Sequence, residues 1–202
     1  MEAKSFFDYD LYIFDLDNTL YSENDYLSGV YFAVAKEVFK SKPLLGIELP
    51  FLWLYEHKGT PNLFSNFIEE FGLEPSFIGE CLSVLRTYTS DRKLQLYAEA
   101  GELLTSLQEE NKTIYVLTNG NVEQQRNKVK NINWQGLDKN IQFVYANEYE
   151  PKPSPKCVDI IREITGTPGR DTILIGDSEI DKQCAENSGI DFKNISELLK
   201  IV

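Results

Sequence analysis

Two acidic side chains near the start of the chain, Asp15 and Asp17, have the type and spacing for chemistry. They follow an apolar run at residues 11–14, which predicts a buried strand. Side chains two apart on a strand project to the same side, so both carboxylates are predicted to face one pocket. This arrangement indicates metal binding or acid–base chemistry. A polar turn in which Asp15 or Asn18 caps a helix is the alternative interpretation.

A second acidic segment, residues 176–181, follows the apolar run at residues 173–175. Ser178 and Asp181 have the form of a capping box, a helix-start motif that requires no function. The capping box does not explain Asp177, which is predicted to lie at a strand end as Asp15 does. Because hard oxygen ligands suit Mg²⁺ better than zinc, the sequence predicts a magnesium site.

Thr118 ends another apolar run, residues 113–117, and the next three residues open a predicted helix with Asn121 as its cap. Backbone N–H groups at such a helix start form an anion site, to which the Thr118 hydroxyl adds a donor. The same residues also suit a purely structural strand-to-helix turn.

Lys152 stands just before another predicted helix, for which Ser154 is the expected cap and Pro155 the first residue. A cation beside a helix N-terminus is electrostatically unfavourable unless an anion lies there too. Lys152 is therefore interpreted as the partner of a phosphate or a carboxylate, and a solvated surface lysine is the alternative.

The elements that must position these residues alternate between strand and helix. Strands are predicted at residues 11–14, 113–117, 142–146, 172–175 and 190–192, and helices at 99–108, 122–131, 155–164, 180–187 and from Ser196. This alternation predicts an α/β fold, a three-layer Rossmann-like core with a parallel sheet between helices. Ligands of such sheets bind at the carboxyl ends of the strands, where the acids fall. The aromatic-rich segment from about Glu23 to Arg92 shows helical spacing instead and predicts three or four helices.

In this order, the four motifs resemble those of the haloacid dehalogenase-like (HAD) hydrolase superfamily. The matching positions are DxDxT at Asp15, Asp17 and Thr19, the strand-end Thr118, the Lys152 before a helix, and GDxxxD at Asp177 and Asp181. The resemblance implies that residues 21–92 form a small helical cap domain inserted after the first motif. Residues 1–20 and 93–202 would then form the core domain.

The resemblance also implies a mechanism in which Asp15 attacks phosphorus and forms an aspartyl-phosphate, while Asp17 acts as the acid and base. Mg²⁺ would be held by the Asp15 carboxylate, the Asp17 backbone carbonyl and Asp177. Asp181 would bind it directly or through an ordered water. The residues expected to bind phosphate are Thr118, Asn119 and Lys152.

The function predicted from this resemblance is hydrolysis of a phosphomonoester of a small soluble metabolite. The FDLDNTLY form of the first motif looks like that of nucleotidase-like members, and a sugar phosphate is the other candidate. A phosphomutase or an inactive HAD-like binding protein are the alternatives, whereas a phosphoacceptor receiver module is disfavoured by the helical insertion. His57, the single histidine, is interpreted as either a substrate contact or a packing residue.

Composition restricts the partners and the compartment. The net charge of −12 and the dispersed lysines and arginines disfavour binding to nucleic acids or anionic membranes. The three cysteines form no CxxC pair, which suits a reducing compartment, and no apolar run approaches the length of a membrane span. The N-terminal residues lack the pattern of a signal peptide, so a cytoplasmic protein is expected.

Overall fold

The computed structural model describes residues 4–40, 42, 45–90 and 92–198. The chain divides into two compact units. Among the described residues, the first unit contains residues 4–22, 95–125 and 132–198. The second contains the described residues of 23–94 together with 126–131. The sequence predicts domain boundaries near residues 20 and 93 with residues 126–131 in the core domain, whereas in the structure those six residues belong to the helical unit.

Seven strands are present in the described ranges. They are β1 (Leu11–Phe14), β2 (Leu94–Gln95), β3 (Thr113–Thr118), β4 (Ile132–Asn133), β5 (Ile141–Tyr145), β6 (Thr172–Gly176) and β7 (Asp191–Asn194). Five of them form a parallel sheet in the order β5-β3-β1-β6-β7, and β2 pairs with β4. Strand β1 lies in the middle, where Phe14 pairs with Val116 of β3 and with Ile175 of β6. Its four residues are fully buried, as expected for an uninterrupted apolar strand in a parallel sheet.

The described ranges contain eight α-helices. They are α1 (Glu23–Glu37), α2 (Glu48–Glu56), α3 (Leu63–Glu70), α4 (Phe77–Thr87), α5 (Ala98–Glu109), α6 (Val122–Asn131), α7 (Lys156–Thr165) and α8 (Glu179–Ser188). None of them combines the length and apolar composition that crossing a membrane requires. The α/β fold predicted from the alternation of strands and helices is confirmed.

The helical unit is built by α1–α4 around aromatic side chains. Phe67 lies at its centre, with its ring 5.1 Å from that of Phe39, 4.7 Å from that of Phe71 and 5.2 Å from that of Trp53. His57 stacks on Trp53 with ring centroids 4.1 Å apart, and its Nδ1 lies 2.9 Å from the Trp53 carbonyl oxygen. These two contacts with Trp53 support the interpretation of His57 as a packing residue.

Most of the predicted bounds agree with the structure to within one or two residues, and the short strands β2 and β4 were not predicted. Two further differences concern the starts of helices. The helix expected from Ser196 is a short 3₁₀ turn at Ile195–Glu197, and its expected continuation beyond Leu198 lies outside the described residues. Helix α7 begins at Lys156, one residue after the expected Pro155. The Ser154 hydroxyl nevertheless accepts a hydrogen bond from the Lys156 N–H at 3.3 Å, as a capping side chain does.

Candidate active site

The carboxyl ends of β1, β3 and β6 meet at one edge of the sheet, because these three strands are parallel neighbours. A cavity of about 240 Å³ opens there. All seven site residues predicted from the sequence line it: Asp15, Asp17, Thr118, Asn119, Lys152, Asp177 and Asp181. All seven belong to the first unit. Segments more than 150 residues apart in sequence therefore supply one site.

Three carboxylates cluster at the centre of this cavity. Asp15, Asp177 and Asp181 each offer an oxygen, and these oxygens lie within 4.8 Å of one another. Asp15 and Asp181 are buried, whereas Asp177 is exposed at the rim. Like charges this close repel one another unless cations lie between them.

Lys152 supplies one of those cations. Its ammonium group is buried and donates to Asp15 Oδ1 at 2.5 Å, to Asp181 Oδ1 at 2.6 Å and to the carbonyl oxygen of Leu117 at 3.0 Å. The sequence left phosphate and carboxylate open as its partner, and in this structure the partners are carboxylates. All three N–H groups of the ammonium are used by these bonds.

The side chain of Asn119 binds the backbone of Lys152. The Asn119 Nδ2 donates to the Lys152 carbonyl at 2.8 Å, and the Lys152 N–H donates to Asn119 Oδ1 at 2.9 Å. Both ends of the amide are engaged, so the Asn119 side chain positions Lys152 and does not face a phosphate in this structure. Phosphate binding by Asn119, expected from the sequence, would fall to its backbone N–H.

The backbone anion site expected at the start of α6 is also partly occupied. The N–H of Gly120 donates to Asn147 Oδ1 at 2.8 Å, so that donor is not available to a phosphate in this structure. The expected cap is present, because the Asn121 side chain accepts from the N–H of Gln124 at 3.1 Å. The Thr118 hydroxyl makes a weak contact of 3.4 Å to the Asn119 carbonyl, and its oxygen accepts a bond of 2.5 Å from the Gln125 Nε2.

Burial changes the proton affinities of the cluster. Desolvation raises the pKa of Asp15 to about 7, although Lys152 opposes the shift, and the neighbouring Asp181 and Asp17 add to it. Desolvation and the charge of Asp181 also raise the pKa of Asp177. Burial alone would lower the pKa of Lys152, but the carboxylates of Asp15 and Asp181 raise it above its ordinary value. Asp15 and Asp177 therefore release their protons less readily than ordinary aspartates, beside a lysine that keeps its charge.

Asp181 serves two structural partners. Its Oδ2 accepts from the Ser178 N–H at 3.1 Å and from the Ser178 hydroxyl at 2.5 Å, which completes the capping box predicted at the start of α8. Its Oδ1 accepts from Lys152. Gly176 makes room for this carboxyl group, because a Cβ there would lie 2.5 Å from the Asp181 Cγ and Oδ2.

Asp17 lies beside the cluster and is held by two residues that sequence analysis did not identify. The Tyr21 hydroxyl donates to Asp17 Oδ1 at 2.5 Å, and the Gln125 Nε2 donates to Asp17 Oδ2 at 2.8 Å. The signal available for Gln125 was its place four residues after the Asn121 cap, in the first turns of a helix that starts beside the site. Tyr21 directly follows the first motif, but spacing alone does not show that the chain turns back there.

Comparisons with known proteins agree with this fold. The model of a family described as haloacid dehalogenase-like hydrolase matches residues 12–195. A search of curated proteins finds no match.

Several solved structures share the fold at low identity. A hydrolase from Streptococcus pneumoniae TIGR4 is 19% identical, with 96% of this chain and 98% of that chain covered and a TM-score of 0.61. A HAD-superfamily hydrolase of subfamily IA from Geobacter sulfurreducens PCA is 16% identical over 92% and 86%, with a TM-score of 0.64. A protein provisionally described as a phosphoglycolate phosphatase, from Lactobacillus delbrueckii subsp. bulgaricus, is 18% identical over 93% and 86%, with a TM-score of 0.62.

Proposed function

The chain belongs to the family of haloacid dehalogenase-like hydrolases, and from that premise we propose that it is a Mg²⁺-dependent phosphatase of small phosphomonoesters, with Asp15 as the covalent nucleophile. The observation that carries this proposal is the second acid, Asp17, which lines the same cavity as Asp15. An alkoxide leaving group needs a proton and a halide does not. A hydrolase of this family with an acid placed beside its nucleophile is therefore equipped for phosphate esters.

The donor set fits a hard divalent cation. The three clustered carboxylates offer oxygen only, and a single buried ammonium group bonds to two of them. Asp15 and Asp177 would hold Mg²⁺ together with the Asp17 carbonyl, with Asp181 nearby. The ion would reduce the repulsion between the Asp15 carboxylate and the phosphate and stabilise charge on the transferring group.

Phosphoryl transfer in this site takes two steps, formation of the aspartyl-phosphate and its hydrolysis. In the first, a carboxylate oxygen of Asp15 forms a bond to phosphorus while the ester oxygen leaves with a proton from Asp17. In the second, Asp17 takes a proton from a water molecule that attacks phosphorus, and inorganic phosphate leaves Asp15. Lys152 keeps Asp15 oriented, since its ammonium group bonds to Asp15 Oδ1. The Thr118 hydroxyl is the donor for a phosphate oxygen.

The substrate we propose is a small metabolite that carries one phosphate ester, such as a nucleoside monophosphate or a sugar phosphate. The name of the Lactobacillus relative adds phosphoglycolate to the panel to be assayed. Release of inorganic phosphate from this panel separates a phosphatase from a phosphomutase, which would return the phosphoryl group to a second hydroxyl.

The first test is hydrolysis of 4-nitrophenyl phosphate by EDTA-treated protein to which Mg²⁺ is added back. We expect turnover only with the metal, and none for Asp15→Asn. Asp10→Asn is the matched control, because Asp10 is an exposed acid that precedes the same strand at its other end. Equal turnover with and without metal, or an active Asp15→Asn protein, would show that the proposal is wrong.

A further inference from the structure

Each oxygen of the Asp17 carboxyl group accepts a hydrogen bond, which restrains the plane of the group. One oxygen accepts from the Tyr21 hydroxyl and the other accepts from the Gln125 amide. Two donors fixed on different oxygens prevent the group from rotating about its Cβ–Cγ bond. In the proposed mechanism the proton moves between Asp17 and an oxygen of the substrate or water, and such transfers require a heavy-atom distance of about 2.6–3.2 Å.

Both donors are themselves buried. The Tyr21 side chain is fully buried, and Gln125 is buried in the first turns of α6. The chain brings Tyr21 back beside Asp17 because Asn18 takes a left-handed conformation, with φ of 58°, and Asp17 and Tyr21 then form an isolated bridge. All of these residues belong to the first unit, so the arrangement is built into the unit that carries the cavity.

Gln125 also contacts the residue expected to bind phosphate. Its Nε2 donates to the Thr118 hydroxyl oxygen at 2.5 Å while it donates to Asp17. A hydroxyl oxygen that accepts this bond keeps its own hydrogen available as a donor. One buried amide therefore orients both the Asp17 carboxyl group and the Thr118 hydroxyl.

We infer that Gln125 and Tyr21 are positioning residues that hold Asp17 at the oxygen of the leaving group, and that Gln125 aligns the phosphate-binding hydroxyl of Thr118 at the same time. The inference rests on the proposed phosphatase function. It assigns no bond-making role to either residue, because each acts through a neighbour. Loss of either one should weaken proton donation more than it weakens phosphate binding or folding.

The test compares two esters that differ in their need for a proton. Glycerol 2-phosphate has an alkoxide leaving group, whereas 4-nitrophenyl phosphate releases a stable phenolate. Gln125→Met keeps the volume and removes the donor, and Tyr21→Phe removes one hydroxyl. Because general acid catalysis supplies about 10²–10⁴ in rate, we expect kcat/KM for glycerol 2-phosphate to fall roughly 10- to 100-fold in each variant. The value for 4-nitrophenyl phosphate should fall less than about threefold on the same grounds.

Gln124→Met is the matched control. Gln124 is the neighbouring glutamine on α6, is partly exposed and contributes its backbone N–H to the cap. It should leave both rates unchanged. Circular dichroism and thermal unfolding check that each variant is folded, and Tyr21→Phe decides the question alone if Gln125→Met does not fold.

A second comparison asks whether the effect passes through Asp17. In an Asp17→Asn background, Gln125→Met should change the rates of the two esters by the same factor. Two results would overturn the inference while leaving the proposed function intact. One is that Gln125→Met still lowers kcat/KM selectively for glycerol 2-phosphate in the Asp17→Asn background. The other is that, with Asp17 present, Gln125→Met lowers kcat/KM equally for both esters. A wild-type protein that hydrolyses neither ester with Mg²⁺ overturns both.

Discussion

Lys152→Met is the most informative single change, because it removes the cation between Asp15 and Asp181. At the observed separations of 2.5 and 2.6 Å, each pair attracts by about 6 kcal/mol at an effective dielectric near 20. Burying the ammonium and the carboxylates costs several kcal/mol per ion, so most of this attraction is offset. Removing one partner of such a buried group leaves the others uncompensated and typically costs about 3–5 kcal/mol.

We therefore expect the metal-free Lys152→Met protein to be about 3–5 kcal/mol less stable than the wild type at pH 7.5. The deficit should shrink at pH 5, because Asp15, whose pKa is raised to about 7, is then protonated and needs no counter-charge. Mg²⁺ should restore part of it at pH 7.5. Activity should also fall, because Asp15 loses the hydrogen-bond donor that orients its carboxylate.

Urea unfolding followed by circular dichroism, at both pH values and with EDTA or Mg²⁺, measures these terms. Lys156→Met is the matched control, because Lys156 is exposed at the start of α7, and we expect it to change stability by less than about 0.5 kcal/mol. A deficit for Lys152→Met that is below about 1 kcal/mol, or that is the same at both pH values, would refute the reasoning about buried charge.

Three further outcomes are expected. Asp15→Asn should have no detectable turnover and should form no acid-stable phosphoenzyme. Asp17→Asn should hydrolyse 4-nitrophenyl phosphate better than an alkyl phosphate. In acid-quench experiments it should accumulate labelled phosphate on Asp15. The stability of the metal-free protein should decrease as the pH rises from about 4 to about 7. The reason is that folded Asp15 keeps its proton up to its raised pKa of about 7, whereas the unfolded chain releases it near 3.8. The midpoint of urea unfolding, measured across this pH range, should fall accordingly. Mg²⁺ should raise the melting temperature more at pH 8 than at pH 5, since only the ionised carboxylates bind the ion, and an equal increase at both would count against this site.

Much of the fold could be predicted because its signals are local. The apolar run of β1 ends at Phe14 as expected, and the capping box at Ser178 and Asp181 marks the start of α8. The expected assembly of Asp15, Thr118 and Asp177 followed from one rule, that parallel strands present their carboxyl ends at one edge. That rule needs only the order of strands and helices along the chain.

Other features depend on contacts that no local pattern contains. Gln125 reaches Asp17 across 108 residues of sequence, and its neighbour Gln124 has the same residue type without such a contact. The position of Lys152 before a helix indicated an anionic partner, a phosphate or a carboxylate, but only the structure shows that the carboxylates of Asp15 and Asp181 bind its ammonium group. The last six residues of α6 join the helical unit although their helical pattern is continuous with the core segment, so periodicity could not separate them.

The position of β1 between β3 and β6 has a consequence for folding during translation. Strand β1 ends at Phe14, whereas its neighbours begin only at Thr113 and Thr172. At about 5–20 residues per second, β1 waits roughly 8–30 s for its second neighbour. During that time an apolar strand has an unpaired edge, which is the kind of surface that chaperones cover and that aggregates otherwise. The helices α1–α4 are contiguous in sequence and can pack with one another meanwhile, whereas the catalytic cavity is complete only after Asp177 and Asp181 have been translated.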